Sequence, residues 1–168
     1  QFRRLAKGGR EIWIRATYNP ILDAAGRPYK VVKFASDITD AKLQFADFQG
    51  QIAAINKSQA VIEFELDGTI LKANDNFLNT MGYTADQVVG RHHRMFVAPS
   101  EAQTAEYGRF WANLGQGHYQ SGQYRRIGKD GKEVWIEASY NPIFDAAGRP
   151  FKVVKYATDI TADMRQKA

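Results

Sequence analysis

One block of residues appears twice, and it limits the fold more than any other feature of the chain. Sliding the sequence by 122 positions lays residues 1–39 over residues 123–161, with about 27 of the 39 pairs identical. Most of the remainder are conservative, such as Phe2 against Tyr124 and Ile12 against Val134. Both copies must therefore fold alike. Within each, segments such as EVWIEASYNPI and FKVVKYATDIT are rich in β-branched and aromatic residues and are separated by FDAAGRP, whose Gly148 and Pro150 are turn formers. A preceding stretch, HYQSGQYRRIG, runs into KDGKE, where Asp130-Gly131 signals a tight reversal with positive backbone angles. Each copy reads as a three-stranded antiparallel meander. In VWIEASY, Val134, Ile136, Ala138 and Tyr140 share one face, and Trp135, Glu137 and Ser139 the other. Trp135 is then either a core residue on a twisted sheet or a surface residue awaiting a partner.

Only the second copy has room for further elements before it. QAVIEFELDGTILKAND reads as two short strands around Asp67-Gly68, with Ile62, Phe64 and Leu66 alternating against Glu63 and Glu65. NDNFLNTMGY begins with helix-capping residues and stops at Gly82, and Thr84 caps ADQVVG, which ends at Gly90. Ser100 is placed to cap a longer helix, EAQTAEYGRFWANLGQG, with Ala105, Gly108, Trp111 and Leu114 at helical spacing and Gly115 and Gly117 as its stop. The order predicts an α+β domain over residues 60–163, a five-stranded antiparallel sheet with helices on one face. Residues 1–39 duplicate only the last three strands of that sheet. A linker helix over 40–59 follows, its Ala41, Phe45, Phe48, Ile52 and Ile55 recurring at spacings of four and three, the seam of a short coiled coil or of a helix packed on a neighbour. Residues 164–168 begin an exit helix.

Composition removes several classes of function. The chain has no cysteine, which excludes disulfides, thiolate metal sites and cysteinyl nucleophiles and suits a reducing cytoplasm. Net charge is +5, but Lys and Arg alternate with acids rather than forming a block, so no nucleic-acid partner is expected. No stretch approaches the roughly 18 apolar residues a membrane span needs, and QFRRLAKGGR is no signal peptide. Phosphate loops and zinc-type histidine spacing are missing and the carboxylates are scattered, so catalysis is not expected.

LDGTILKANDNFLNTMGYTADQVVGRHHRMF, a following W..L..G segment, RR.GKDGKEVWI and a terminal DIT together resemble a PAS sensor domain. The likeness is to the kind found in tandem in cytoplasmic methyl-accepting chemoreceptors of the aerotaxis and biofilm-dispersion type. It covers residues 60–163 as one complete domain and 1–39 as the end of another. What it implies is signal transduction in chemotaxis: a small ligand, a redox state or oxygen is sensed and the change is relayed through linker helices. Histidine kinases and cyclic-dinucleotide enzymes are alternative outputs for such a module, and a cofactor-free dimerisation scaffold is the competing reading. In the family's DIT motif an acid and a hydroxyl residue anchor the exit strand, which places Asp37 and Thr39, and Asp159 and Thr161, in the relay. Capping of the following helix is the structural alternative for these residues.

The cofactor candidates follow from the same resemblance. His92 and His93, in GRHHRMF, fall where PAS domains line their cavity; one imidazole would ligate the iron of haem b, His93 being the metal candidate, or contact a flavin. Solvated or helix-capping histidine is the alternative. Trp111 falls on the tryptophan of flavin-binding aerotaxis receptors, for which FAD is the cofactor, yet FVAPS replaces the residues that follow the methionine there. At helical spacing with Leu114 it also reads as core. Asn141, in SYNPI, either turns its amide toward a cavity ligand or marks an irregularity before the turn. A flavin–cysteine photoadduct is excluded for want of a thiol. Finally, a meander without its covering helices exposes an apolar face, so residues 1–55 are expected to pack against, or swap into, a second copy of the chain and form a homodimer.

Overall fold

Alternating side chains and tight turns generate the first meander. In the computed structural model, which describes residues 1–167, β1 (Phe2–Leu5), β2 (Glu11–Leu22) and β3 (Pro28–Asp37) form an antiparallel sheet in that order. Asp23 closes the β2–β3 turn by accepting from the N–H groups of Ala25 and Arg27, each at 2.9 Å. Helix α1 (Thr39–Ser58) leaves directly from β3. These elements make one compact unit, Gln1–Ala53, and a second unit begins at Ala54.

The second unit contains the fuller arrangement. Strands β4 (Ala60–Phe64) and β5 (Ile70–Ala73) are followed by α2 (Asp75–Met81), α3 (Ala85–Val88), a 3-10 turn at His93–Phe96, α4 (Pro99–Ala102) and α5 (Ala105–Gly115). The repeat then supplies β6 (Gln120–Ile127), β7 (Glu133–Phe144) and β8 (Pro150–Asp159), and α6 (Thr161–Gln166) follows. The expected exit helix over 164–168 thus begins three residues earlier, at Thr161, and Ala168 lies outside the described residues. All five strands are antiparallel, in the order β5-β4-β8-β7-β6. The α+β class and five-stranded sheet expected from the sequence are present.

Local chemistry explains the short helices. Asn74 caps α2 by accepting from the Phe77 N–H at 2.9 Å, and Gly82 ends it in the left-handed conformation at φ 82°. Between β6 and β7, Asp130 and Gly131 take φ of 60° and 79°, as the Asp-Gly pair requires.

The single long helix expected after Ser100 does not form. Pro99 starts α4, so Ser100 lies inside that helix rather than capping it. Thr104 is extended, at φ −76° and ψ 153°, and its hydroxyl accepts from the Tyr107 N–H at 3.2 Å, capping a separate α5. Trp111 and Leu114 are buried as their spacing predicts, but Ala105 and Gly108 are exposed; Tyr107 and Phe110 complete the inward stripe instead.

One face of the second sheet packs on the helices. Val134, Ile136, Ala138 and Tyr140 of β7 are buried with Ile62 and Phe64 of β4 and Val153 of β8, against Phe77, Met81, Val88, Phe96, Trp111 and Leu114. Trp135 is half-buried on the opposite face, its indole N–H donating to Glu133 at 3.3 Å, so it is not a core residue. The same side chains in the first meander meet no such layer: Tyr18 is 48% exposed where its counterpart Tyr140 is 0%, and Val31 63% where Val153 is 0%.

Candidate functional site

His93 lies in the core with neither ring nitrogen free. The 3-10 turn that carries it is held to the β4–β5 reversal, where the His93 N–H donates to the Gly68 carbonyl at 2.9 Å. Gly68 sits at φ 98°, and a Cβ there would come 2.6 Å from His92 Nε2, so only glycine fits this approach. Nδ1 of His93 lies 2.7 Å from the Tyr107 hydroxyl and Nε2 lies 2.9 Å from that of Tyr140. Tyr140 also accepts from Arg126 Nη2 at 3.0 Å, and Lys155 Nζ stands 5.0 Å from its ring. Arg126 can only donate, so the arrangement that satisfies every group has the Tyr140 hydroxyl donating a hydrogen bond to His93 Nε2, and His93 Nδ1–H donating to the Tyr107 oxygen.

Two cations are therefore buried together without a carboxylate. None of the ion pairs among the described residues involves Arg126 or Lys155. Burial, followed by the charges of Arg126 and Lys155, holds His93 well below its ordinary value, so it is neutral. Burial depresses the Lys155 ammonium as well. Burial alone would raise Tyr140, but Lys155 and Arg126 overcome it and shift the phenol downward. Tyr107 is pushed up to about 12, chiefly by desolvation, which the opposing charges of Arg126 and Arg94 do not offset.

The other predicted site residues separate. His92 makes no hydrogen bond to this network: its Nε2–H donates to the Asp67 carbonyl at 2.7 Å and its Nδ1 accepts from the Arg94 N–H at 3.0 Å, so it fastens the 3-10 turn to the β4–β5 reversal, with its ring packed edge-on against Tyr107 and Trp111. Trp111 does join His93, with ring centroids 5.3 Å apart, and its buried indole N–H has no partner. Asn141 lies on the outer face with Ser139, where its amide donates to the Ser139 hydroxyl at 3.0 Å and the Val154 carbonyl at 3.2 Å. It does not turn toward the interior; alternation along β7 assigns it the face opposite Tyr140.

Haem b and FAD do not fit this arrangement. Iron ligation would require His93 to give up one of its tyrosines. The space beside it is filled by the rings of Phe64, Tyr107, Phe110, Trp111 and Tyr140, with neighbouring centroids 4.8–6.5 Å apart. Among the described residues no three of His, Cys, Asp and Glu converge as metal ligands.

Sequence reasoning passed over Tyr107, Arg126 and Lys155. The signal for Lys155 was present: in FKVVKYATD it alternates with Val153 and Ala157, placing a cation on the inward face of a central strand.

Each meander ends in the same clasp. Asp159 Oδ1 accepts from the Thr161 N–H at 2.9 Å and from its hydroxyl at 2.6 Å, while Thr161 Oγ1 accepts from the Trp135 N–H of β7 at 3.0 Å. Asp37, Thr39 and Trp13 repeat this at 2.9, 2.6 and 2.9 Å. The hydroxyl thus ties the first helical residue back to a sheet strand, and the aspartate satisfies the helix's leading N–H.

Comparison with known proteins agrees with this geometry. The PAS fold profile matches residues 70–157. The chain is 46% identical over 164 residues to the biofilm dispersion protein BdlA of Pseudomonas aeruginosa, covering 98% of this chain and 39% of that protein. It is 30% identical over 79 residues to the aerotaxis receptor of Escherichia coli, covering 47% of this chain and 15% of the receptor. It therefore spans well under half the length of either relative. Among solved structures, the PAS domain of a Colwellia psychrerythraea protein superposes with a TM-score of 0.60 at 23% identity, over 68% of this chain and 98% of that one. An RNA-binding light-oxygen-voltage receptor gives 0.63 at 23% identity, over 93% and 42%; at this identity both show the fold alone. With the profile matched across the sheet and its helices, the chain belongs to the PAS fold family.

Proposed function

We propose that this chain is a non-catalytic sensory module of a cytoplasmic, chemoreceptor-like protein, in which a small ligand held under the sheet changes the strand that launches each linking helix. The observation that carries this reading is the clasp. Tyr140 and Trp135 lie on one strand, the first in the buried cationic network and the second bonded through its N–H to Thr161 at the start of α6. A displacement at the buried end of β7 is delivered five residues along to a helix origin. Likeness to the biofilm dispersion protein and the aerotaxis receptor supports an output in motility or dispersal. No described helix is long and apolar enough to cross a membrane.

The test is a chimera in which this chain replaces the matched segment of the biofilm dispersion protein. The chimera is expected to restore dispersal, and Thr161→Val is expected to abolish it while leaving protein levels unchanged. A Thr161→Val chimera that responds as well as the unmutated one removes the relay.

A second reading rests on a separate observation. Phe45, Phe48 and Ile52 of α1 are each about 60% exposed, as are several apolar residues of the first meander. Such a surface supports a homodimer through residues 1–55, in which the segment acts as a scaffold.

A further inference from the structure

Arg126 lies beside a cleft as well as within the core. It is 3% exposed, its Nη1 donates to the Arg125 carbonyl at 3.1 Å and its Nη2 to Tyr140, but its Nε is buried with no partner. A buried guanidinium with an idle donor and no carboxylate in contact is a costly arrangement unless something else answers it. Between α5 and β6 lies a cavity of about 340 Å³, at the small end of metabolite sites, which Arg126 lines together with Glu101, Thr104, Tyr107, Arg109 and Tyr124.

We propose that this cleft binds a small zwitterion of the free α-amino acid class, its carboxylate on Arg126 and its ammonium on Glu101. A planar guanidinium edge is the natural partner of a carboxylate. Glu101 faces the same cavity, close enough to act on the charge of Arg126 but forming no ion pair with it. A simple anion would meet Glu101 and Glu106 as well as the arginines, and a simple cation would meet Arg126 and Arg109. A ligand bearing both charges satisfies both walls, and Tyr107 and Tyr124 supply flat apolar sides for its carbon atoms.

The inference deepens the sensory reading and rests on it only in its consequence. Arg126 sits opposite Val134, and its neighbour Arg125 opposite Trp135, whose N–H is held by Thr161. A carboxylate competing for the guanidinium loosens its hold on Tyr140 and shifts β6 against β7 beside the clasp.

The measurement is calorimetric titration of the whole chain with single L-amino acids at roughly millimolar concentration, with acetate and methylammonium as one-charge controls and proton–nitrogen spectra following the Arg126 Nε–H. At least one amino acid is expected to bind and to move that signal. Acetate and methylammonium are expected to be at least tenfold weaker. Arg126→Gln and Glu101→Gln should each lose at least tenfold in affinity; Glu101 is exposed, so its variant keeps the test valid if Arg126→Gln unfolds. The proposal is overturned if no amino acid binds, if acetate binds as tightly, or if Glu101→Gln leaves affinity intact. Binding without any change in hydrogen exchange of α6 would remove the relay and leave the site standing.

Discussion

Tyr140 meets three charged or polar neighbours: His93 and Arg126 at its hydroxyl, and the ammonium of Lys155 5.0 Å from its ring. That crowding makes stability depend on pH in a defined direction. His93, and to a smaller degree His92, is held below its ordinary value by burial, so the unfolded chain takes up protons near pH 6.5 while the folded chain does not. Stability is therefore unaffected by these groups above that pH and falls as pH drops below it, by at most about 1.4 kcal/mol per unit for each fully neutral histidine. Asp67, depressed chiefly by its bond from the Thr69 N–H, resists protonation until lower pH. Thermal melts from pH 7 to 5 are expected to show a steady fall in Tm; a flat or rising Tm contradicts a neutral buried His93. The components of this site were only partly legible in the sequence. Alternation along β7 put Tyr140 inward, and the same logic applied to β8 would have found Lys155. The meeting of His93 with Tyr107 and Tyr140 was not legible, because its partners stand 14 and 47 residues away and belong to different elements. Asn141 was offered as a contact to a cavity ligand, although the plain period of two along β7 already turned it outward; the alternative reading of an irregularity before the turn agrees with the register shift at Ile143–Phe144.

Among the elements, the clasped helices carry the clearest expectation. Thr161 and Thr39 each hold a tryptophan N–H that the strand ladder leaves to them, so valine at either position removes one acceptor from a half-buried donor. Thr161→Val is expected to cost about 1–2 kcal/mol in urea unfolding and to speed amide exchange at Trp135 and along α6 while sparing β4. Exchange that rises equally across the sheet would point to global loosening instead. Strand and turn positions were readable because period-two burial and the Asp-Gly signal are local. The region after Val97 was not, because Pro99 and Thr104 each offered a helix start within six residues, and Ser100 competed with both. Both starts are used, Pro99 opening α4 and Thr104 capping α5.

At the scale of the whole chain, a 39-residue text appears in two settings with about 27 of its positions unchanged. One copy has its inner face covered by helices, and the other presents Tyr18 and Val31 to solvent. Together with the exposed seam on α1, that face predicts self-association. Light scattering of the chain is expected to give a dimer at micromolar concentration or above, and Phe45→Asp with Phe48→Asp is expected to return it to a monomer. A monomer at high concentration without those changes removes the homodimer reading. The duplication also has a practical consequence. Trp13 and Trp135 occupy matched clasps, each with its indole donating to a glutamate two residues earlier. Each measurement on Trp135, on the outer face of its sheet, therefore has an internal reference in Trp13 of the same molecule, and any difference between the two reports how far the helical layer on the inner face acts through the sheet.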